Sequence, residues 1–438
     1  MLKQDAFNLL NSIQRMTEEF MNNSDLYRPY NFDEAKRSMV EAVKTLYPDY
    51  INDKEVSQQI IKLSGYTSAW DIDKLSDDLK ADKEVMLEAI RQNPNAFQNA
   101  DASLQDDKEF MLEATSINGL VLNNASTRLR ADKDVALSAV SNTGLSLGLL
   151  DYSLRADKEV VLTAVSNDGR GLQWASEKMC ADKEVVLAAV KNNYLTLQYA
   201  DNKLKADPEI VLAGIKNIVE QHNRMQGTNT EDFFKNCVSR KLRNDPEFMI
   251  EAIKVHSTSY VYAFNAVKEN KDVFIAYCEN ALTQHGNGRY SIDIPDSLSN
   301  DKDAVLAAVK LDGYMVKTLP KFQDDKEVVM AAAETYGYAI DYASDRLKND
   351  KETVLHFINN SQYRILQYAS DRLRDDVDVV RAAVRKDPES IKYASERIQK
   401  NPGLLEEKKS LNSIINSATS RASGHTNIQA TPNKNKDR

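Results

Sequence analysis

The side chains best suited to chemistry in this sequence are its cysteines, its histidines and a regular series of aspartates. The cysteines Cys180, Cys237 and Cys278 are few and far apart, which is typical of reduced thiols and not of a disulfide framework. The five histidines show no ligand spacing. His222 and Cys237 flank one irregular stretch, so a Cys–His pair is conceivable, although no signature supports it. We therefore expect no catalytic residue, cofactor or metal.

The aspartates recur with a fixed period. Six successive aspartates are 25 residues apart, namely Asp82, Asp107, Asp132, Asp157, Asp182 and Asp207. The series extends in both directions, with some intervals that differ from 25 residues, to Asp53, Asp245, Asn270, Asp301, Asp325, Asp350, Asp376 and Asn401. A period in this range is the sequence signature of a stacked repeat array.

The aspartate of each unit, taken as repeat position 1, is expected to cap a helix. Its carboxylate can accept hydrogen bonds from the free amides of the first helical turn. Proline stands at position 2 in Pro208, Pro246 and Pro402, and proline is favoured at the first position of a helix. Position 3 is acidic nearly throughout, which complements the helix dipole. The alternative, a row of acids that binds cations or a basic peptide, is not needed to explain the pattern.

Each unit is expected to contain two helices. Apolar residues at positions 4, 5, 8 and 9 form one face of the first helix. Glycines at position 13, such as Gly144 and Gly169, are expected to end it in the left-handed conformation. A second helix should follow, with Leu197, Ala200, Asp201 and Leu204 on its apolar face in one unit.

These units predict an all-α fold, an α-solenoid of about fourteen two-helix repeats. We expect an N-terminal helical cap at residues 1–50 and the repeat array at residues 51–403. Two intervals between successive repeats are longer than 25 residues, and they place insertions near residues 219–234 and 284–297. The polar segment 404–438 is predicted to be disordered.

Charge and hydropathy restrict the classes of partner. The formal net charge is -9, and an acidic chain repels phosphate groups, so we expect no nucleic acid as a partner. No apolar run is long enough to span a bilayer, and the first residues lack the apolar core of a signal peptide. We therefore expect a cytoplasmic location, or export that uses no classical signal peptide.

An aromatic row at position 18 is the candidate binding site. Its members are Trp174, Tyr199, Tyr262, Tyr342, Tyr368 and Tyr393. Basic residues often stand four positions later, at Arg128, Lys178, Lys203, Arg346, Arg372 and Arg397. One interpretation is a surface row that holds an extended partner. In the other, each ring packs against the adjacent repeat with its hydroxyl at the surface.

The recurring pattern DKEVVLAAV–NNG–LQYAS–L resembles a repeat family known mainly as a domain of unknown function. It is clearest at residues 157–204 and 325–398. Similar proteins are common in bacteria that live inside eukaryotic cells and include effectors injected by type IV secretion. The resemblance implies an effector that acts on a host protein, with residues 404–438 as the secretion signal, and it brings no catalytic residue.

Two functional hypotheses follow. The first is a non-catalytic solenoid, a secreted effector or adaptor that binds a protein partner. The second is an enzyme or enzyme regulator whose site lies in the insertions at residues 219–234 and 284–297, with the repeats as scaffold.

Overall fold

The structure, a computed structural model, describes residues 2–22, 32–64, 69–222, 230–285, 292–362, 364–404, 406 and 409–411. Every regular element within these ranges is a helix, and no strand occurs there. The chain divides into two compact units, Met1–Leu242 and Arg243–Arg438. None of the helices in the described ranges is both long and apolar enough to cross a membrane. The predicted all-α repeat fold is confirmed.

The long helix of each repeat follows the capping aspartate and packs against the long helices of its neighbours. In the first unit these helices are Lys83–Gln92, Lys108–Ile117, Lys133–Asn142, Lys158–Asn167, Lys183–Asn192 and Pro208–His222. In the second unit they are Pro246–Val255, Lys271–His285, Lys302–Leu311, Lys326–Ala332, Lys351–Asn360 and Val377–Lys386. Positions 4, 5, 8 and 9 are buried, as Val160, Val161, Ala164 and Val165 show. The core of each unit therefore runs along the stack of long helices.

The predicted capping is also confirmed. One carboxylate oxygen of Asp157 accepts hydrogen bonds from the amides of Glu159 and Val160, at 3.0 and 3.2 Å. The equivalent residues from Asp82 to Asp376 also cap their helices, most of them through two amides and Asp107 and Asp350 through one. These bonds satisfy amides that have no partner inside the helix.

The second part of each repeat is a 3-10 segment, in most repeats followed by a single short helical turn, and not one continuous helix. The 3-10 segments are Ala69–Lys74, Pro94–Asn99, Gly119–Asn124, Gly144–Leu149, Gly169–Trp174, Tyr194–Tyr199, Ser257–Tyr262, Gly313–Thr318, Ala339–Tyr342, Ile365–Tyr368 and Pro388–Tyr393. The short α-helical turns are Asp77–Lys80, Ala102–Gln105, Thr127–Arg130, Glu177–Cys180, Arg240–Arg243, Asn265–Lys268, Asp345–Lys348, Asp371–Arg374 and Glu396–Gln399. At other junctions a 3-10 turn takes this place, at Leu154–Ala156, Leu204–Ala206, Asp296–Leu298 and Pro320–Phe322.

An extended residue, Ala200, follows the 3-10 segment Tyr194–Tyr199, and it changes the side of the repeat on which Asp201 lies. Ala200 has ψ of 158°, so the chain leaves the helical direction after Tyr199. Asp201 is exposed, and its placement on the apolar face was wrong. Its backbone N–H donates to the carbonyl of Cys180 in the preceding repeat, at 2.9 Å. Its carboxylate accepts from the amide of Lys203, at 2.8 Å.

The glycines at position 13 have another role than the predicted one. None of Gly119, Gly144, Gly169 and Gly313 has φ in the left-handed region. A Cβ at these positions would instead meet the next repeat, because a carbonyl oxygen of that repeat lies 2.2 to 2.5 Å from where the atom would be. Glycine is required here by close approach and not by backbone conformation.

The N-terminal helices pack as a separate small core in the first unit. Helices Leu2–Asn22 and Phe32–Leu46 lie against Lys54–Ser64, with the 3-10 turn Pro48–Tyr50 between the last two. Leu10, Val40 and Ile60 are among the buried residues of this cluster. The assignment of residues 1–50 as a cap, like the other domain limits, stays a prediction.

The insertions are described only in part. The helix Pro208–His222 is longer than the long helices before it, and a further helix follows at Thr230–Asn236. Residues 223–229 and 286–291 lie outside the described ranges, as do residues 412–438 of the predicted disordered segment.

Candidate binding surface

In most repeats a lysine at position 2 binds the capping aspartate of the next repeat. The ammonium of Lys133 lies 2.8 Å from both Asp157 and Glu159 of the next repeat. The same arrangement recurs from Lys54 to Lys183 and from Lys271 to Lys351. The hydrogen bond from Lys133, opposed by burial, lowers the pKa of Asp157. Most of the acids at positions 1 and 3 are therefore engaged within the array.

An asparagine at position 11 makes a second connection between repeats. The side chain of Asn167 accepts from the backbone N–H of Gly144 and donates to the carbonyl of Ser141, both at 2.8 Å. Asn142, Asn192 and Asn217 make equivalent bonds. The asparagines were visible in the sequence, but their contacts lie more than twenty residues away.

Several basic residues of the predicted aromatic-and-basic row hold the preceding repeat. Arg397 bonds to the carboxylate of Asp375 at 3.0 Å and to its backbone carbonyl at 2.8 Å. Arg128, Arg346 and Arg372 bind Asp106, Asp324 and Asn349 in the same manner. These guanidiniums remain largely exposed. Their bonds attach each short helical turn to the repeat before it.

In the first unit the aromatic row is represented by Trp174 and Tyr199. Their side chains are 44% and 40% exposed. A Cβ on Gly148 of the preceding repeat would lie 2.9 Å from the Trp174 ring, so the ring lies directly on that backbone. The Trp174 ring therefore packs on a neighbouring repeat, and both rings present exposed surface.

In the second unit three members of the row belong to a larger group, which we call the tyrosine cluster. Its members are half-buried or exposed tyrosines, namely Tyr314, Tyr336, Tyr338, Tyr342, Tyr368 and Tyr393. Ring centroids of Tyr314 and Tyr342 are 6.1 Å apart, and those of Tyr338 and Tyr368 are 6.2 Å apart. Both contacts cross from one repeat to the next. Tyr262 is half-buried at the end of Ser257–Tyr262 and lies outside the cluster.

Tyr314, Tyr336 and Tyr338 were not among the predicted site residues. They stand at positions 12 and 14, and the structure brings them beside position 18. Tyr336 stacks on Tyr342 with an interplanar angle of 17°. The dense run of tyrosines from Tyr336 to Tyr342 was the one available signal in the sequence.

The hydroxyls of Tyr336 and Tyr368 are held in the neutral form. Burial, followed by the neighbouring Tyr342, raises the pKa of Tyr336 to about 12. Burial and then the charge of Asp341 raise the pKa of Tyr368, with smaller effects of Tyr393 and Tyr342. At neutral pH these groups can therefore donate hydrogen bonds.

Clefts among the described residues also lie elsewhere on the repeats. A cleft of about 540 Å³ lies between Lys183–Asn192 and Pro208–His222, over Leu187 and Leu212, with Lys191 and Lys216 at its side. Another of about 390 Å³ is formed by Tyr260, Tyr277 and Lys268 together with Ile292–Pro295 of the second insertion. Burial lowers the pKa of Lys268.

The thiols are poor candidates for nucleophiles. All three cysteines are free. Burial raises the pKa of Cys237 to about 11 and that of Cys278 to about 12, so neither forms a thiolate at neutral pH. The side chain of His222 lies outside the described residues, which leaves the Cys–His pair without support. Among the described residues no group of three or more potential ligand side chains could hold a metal ion.

Comparison with known families identifies the repeat. A family model described as a domain of unknown function (DUF4116) matches residues 53–105, 82–130, 107–155, 132–180, 182–219, 325–364 and 359–399. Most of these matches begin at a capping aspartate, and together they cover more than half of the chain. We found no match among curated proteins and none among solved structures.

Proposed function

The chain belongs to the DUF4116 family of domains of unknown function, and we propose that it is a non-catalytic binding protein whose repeats engage a protein partner. The site is the aromatic row, with Trp174 and Tyr199 in the first unit and the tyrosine cluster in the second. Tyr262 belongs to the row by repeat position.

The observation that carries this proposal is the tyrosine cluster itself. Its rings extend over consecutive repeats and remain half-buried or exposed. Aromatic residues that are packed yet accessible are enriched at protein interfaces, because they offer a large contact area at a low cost in side-chain entropy. The bonds between repeats hold the backbone beneath them, so little further ordering is needed on binding.

The resemblance noted from the repeat pattern gives the proposal its biological setting. We propose that the protein is an effector or adaptor of an intracellular bacterium, delivered by type IV secretion to a host cell where its partner resides. Residues 404–438 would carry the signal. A reporter fused to these residues should enter host cells, and a reporter fused to the chain without them should not. Entry of both reporters would contradict the assigned signal.

The binding proposal is tested by capture from eukaryotic cell lysate, read by mass spectrometry. Wild type is compared with two variants, W174A/Y199A and Y342A/Y368A/Y393A. The matched control is Tyr152→Ala, which removes a tyrosine that is 67% exposed and lies outside the row. A partner held by wild type and Tyr152→Ala but lost by either folded row variant supports the proposal. A partner retained equally by all three variants would move the site elsewhere.

The alternative, an enzyme or enzyme regulator with its site in the insertions, is favoured by one observation. The cleft beside Ile292–Pro295 contains the half-buried amine of Lys268, whose pKa is lowered by burial. A lysine in such a setting has a larger neutral fraction than an exposed lysine. Lys268→Met or deletion of residues 286–291 should then abolish activity while the helix content is retained. An unchanged phenotype in both variants would exclude this alternative.

A further inference from the structure

The cleft beside the second insertion is formed by two different parts of the chain. It has a volume of about 390 Å³, with Tyr260, Tyr277 and Lys268 from the repeats and Ile292–Pro295 from the insertion. Ile292 is buried in the core of the second unit, and Ile294 packs against that core. The insertion therefore supplies an apolar wall, and the volume lies within the range of sites for small molecules.

The repeat side of the cleft departs from the usual pattern at Tyr260. This residue stands at position 16, where regular repeats have a buried apolar residue, such as Leu172, Leu197 and Ile340. Tyr260 is half-buried instead, and its ring stacks on Tyr277 with the centroids 4.2 Å apart and an interplanar angle of 9°. The cleft therefore has an aromatic side opposite its aliphatic one.

Lys268 is the exception in a series of equivalent side chains. It stands two residues before the capping residue Asn270. In several other repeats the side chain at this place donates to a backbone carbonyl in or just after the preceding 3-10 segment, as it does in Lys80, Gln105, Arg155, Gln323, Lys348 and Gln399. The ammonium of Lys268 makes no such bond to a described residue, and it lies 5.7 Å from the centroid of the Tyr260 ring.

The Lys268 ammonium also lacks a carboxylate partner within the part of the chain that the structure describes. Glu269 and Asp293 line the same cleft, but both are exposed and neither forms an ion pair with Lys268. A partly buried cation without a counterion favours an anionic group beside it. Two exposed acids at the same cleft oppose a second negative charge, so the cleft favours a ligand with a single one.

We propose that this cleft binds a small monocarboxylate with a flat apolar body. The carboxylate accepts a charge-assisted hydrogen bond from Nζ of Lys268, and the body lies between the Tyr260–Tyr277 pair and Ile294. None of the residues that line the cleft belongs to the aromatic row. The site is therefore independent of the proposed protein-binding function, and it requires no reaction.

The test is isothermal titration calorimetry of the full chain with 2-naphthoate. The amide 2-naphthamide has the same body without the charge, acetate has the charge without the body, and 2-naphthyl phosphate carries a second negative charge. We expect saturable binding of 2-naphthoate and binding of the amide that is weaker by at least about tenfold. The phosphate should bind more weakly than 2-naphthoate, and acetate should not bind measurably.

Variants assign the charge to one side chain. Lys268→Met should weaken binding of 2-naphthoate at least about tenfold and leave binding of the amide unchanged, whereas Lys268→Arg should retain most of the affinity. The matched control is Lys348→Met, at the equivalent place of another repeat, where the lysine donates to the carbonyl of Asp341 at 2.8 Å. It should bind 2-naphthoate like wild type.

A second readout uses wild type alone and does not depend on the folding of a variant. Bound 2-naphthoate should slow the reductive methylation of Lys268, measured by mass spectrometry of the peptide that contains it, and should leave Lys348 unaffected. Circular dichroism establishes that each variant in the titrations is folded.

Several outcomes would overturn the monocarboxylate site. They are no saturable binding of 2-naphthoate to wild type, equal binding of the amide, tighter binding of the phosphate, undiminished binding by folded Lys268→Met, or methylation of Lys268 at an unchanged rate. Each of these results would leave the lysate capture that tests the aromatic row unaffected, so the two proposals can fail separately.

Discussion

The α-carbon of Gly144 faces the backbone of Ala164 so closely that a Cβ on it would lie 2.3 Å from the Ala164 carbonyl oxygen. The two residues belong to consecutive repeats. Gly119 and Ala139, Gly169 and Ala189, and Gly313 and Ala332 have the same relationship. The start of each of these 3-10 segments is therefore pressed against the long helix of the next repeat.

Gly144→Ala should destabilise the array, because the added methyl group overlaps a backbone atom that cannot move away alone. We expect a loss of about 1–3 kcal/mol in the free energy of unfolding, typical of overpacking, measured by urea denaturation. The matched control is Gly403→Ala, where the nearest atom would be a side-chain oxygen of Asn401 at 3.5 Å. Equal stability of the two variants would refute the steric role of Gly144.

Asn217→Ala should also be destabilising. The Asn217 side chain accepts from the buried N–H of Tyr194 at 3.1 Å and donates to the carbonyl of Lys191 at 2.9 Å. Removal leaves both backbone groups without that partner, at a cost of about 1–3 kcal/mol. Thermal unfolding is the measurement, with Asn202→Ala, at an exposed turn residue, as the control. A change no larger than that of the control would contradict the role of this bond.

The lysine connections predict a loss of stability in acid. Hydrogen bonds from Lys326 and then from Thr353 lower the pKa of Asp350 from its ordinary 3.8 to about 2. Since the folded pKa is lower than the unfolded one, the ionised carboxylate stabilises the fold above about pH 4, and this stabilisation disappears as the pH falls towards 2. The urea midpoint should fall over this interval in wild type.

Two variants isolate this effect. Asp350→Asn should be less stable at pH 7 and should fall less steeply between pH 4 and pH 2, because the titrating group is absent. Lys326→Met removes the partner at 2.7 Å and should reduce the same slope. Lys191→Met, at a position outside the lysine series, serves as the control. An unchanged slope in Asp350→Asn would refute the assignment.

Two tyrosines of one 3-10 segment should respond very differently to truncation. Tyr194 is 4% exposed and meets Phe233 edge-on at 5.7 Å, whereas Tyr199 is 40% exposed. We expect Tyr194→Ala to cost about 3–5 kcal/mol, as for other buried aromatic residues, and Tyr199→Ala to cost less than about 1 kcal/mol. Urea unfolding measures both. A comparable loss in Tyr199→Ala would assign that ring to the core and not to a binding surface.

The cysteines should react slowly in the folded protein. Burial raises the pKa of Cys237 to about 11 and of Cys278 to about 12, so almost no thiolate is present at pH 8. A chromogenic disulfide reagent should label all three thiols rapidly in urea, and only Cys180, if any, without it. Rapid labelling of Cys237 in the native protein would reopen its assignment as a nucleophile.

The sequence alone was sufficient for the features that depend on neighbouring residues. A capping aspartate bonds to amides two and three residues ahead, and proline at position 2 obeys a local rule, so the repeat register could be predicted. Burial at positions 4, 5, 8 and 9 followed from helical periodicity. The aromatic row could be placed at the surface as one of two interpretations, but the sequence did not choose between them.

Contacts between repeats were decided only in the tertiary structure, because they join residues more than twenty positions apart. The close approach of Gly144 to Ala164, the bonds of Asn167 across repeats and the lysine connections depend on how one repeat stacks on the next. The same stacking turned Asp201 outwards and brought Tyr314, Tyr336 and Tyr338 beside Tyr342 and Tyr368. Local hydrogen bonding thus determined the repeat, and packing between repeats determined the surface.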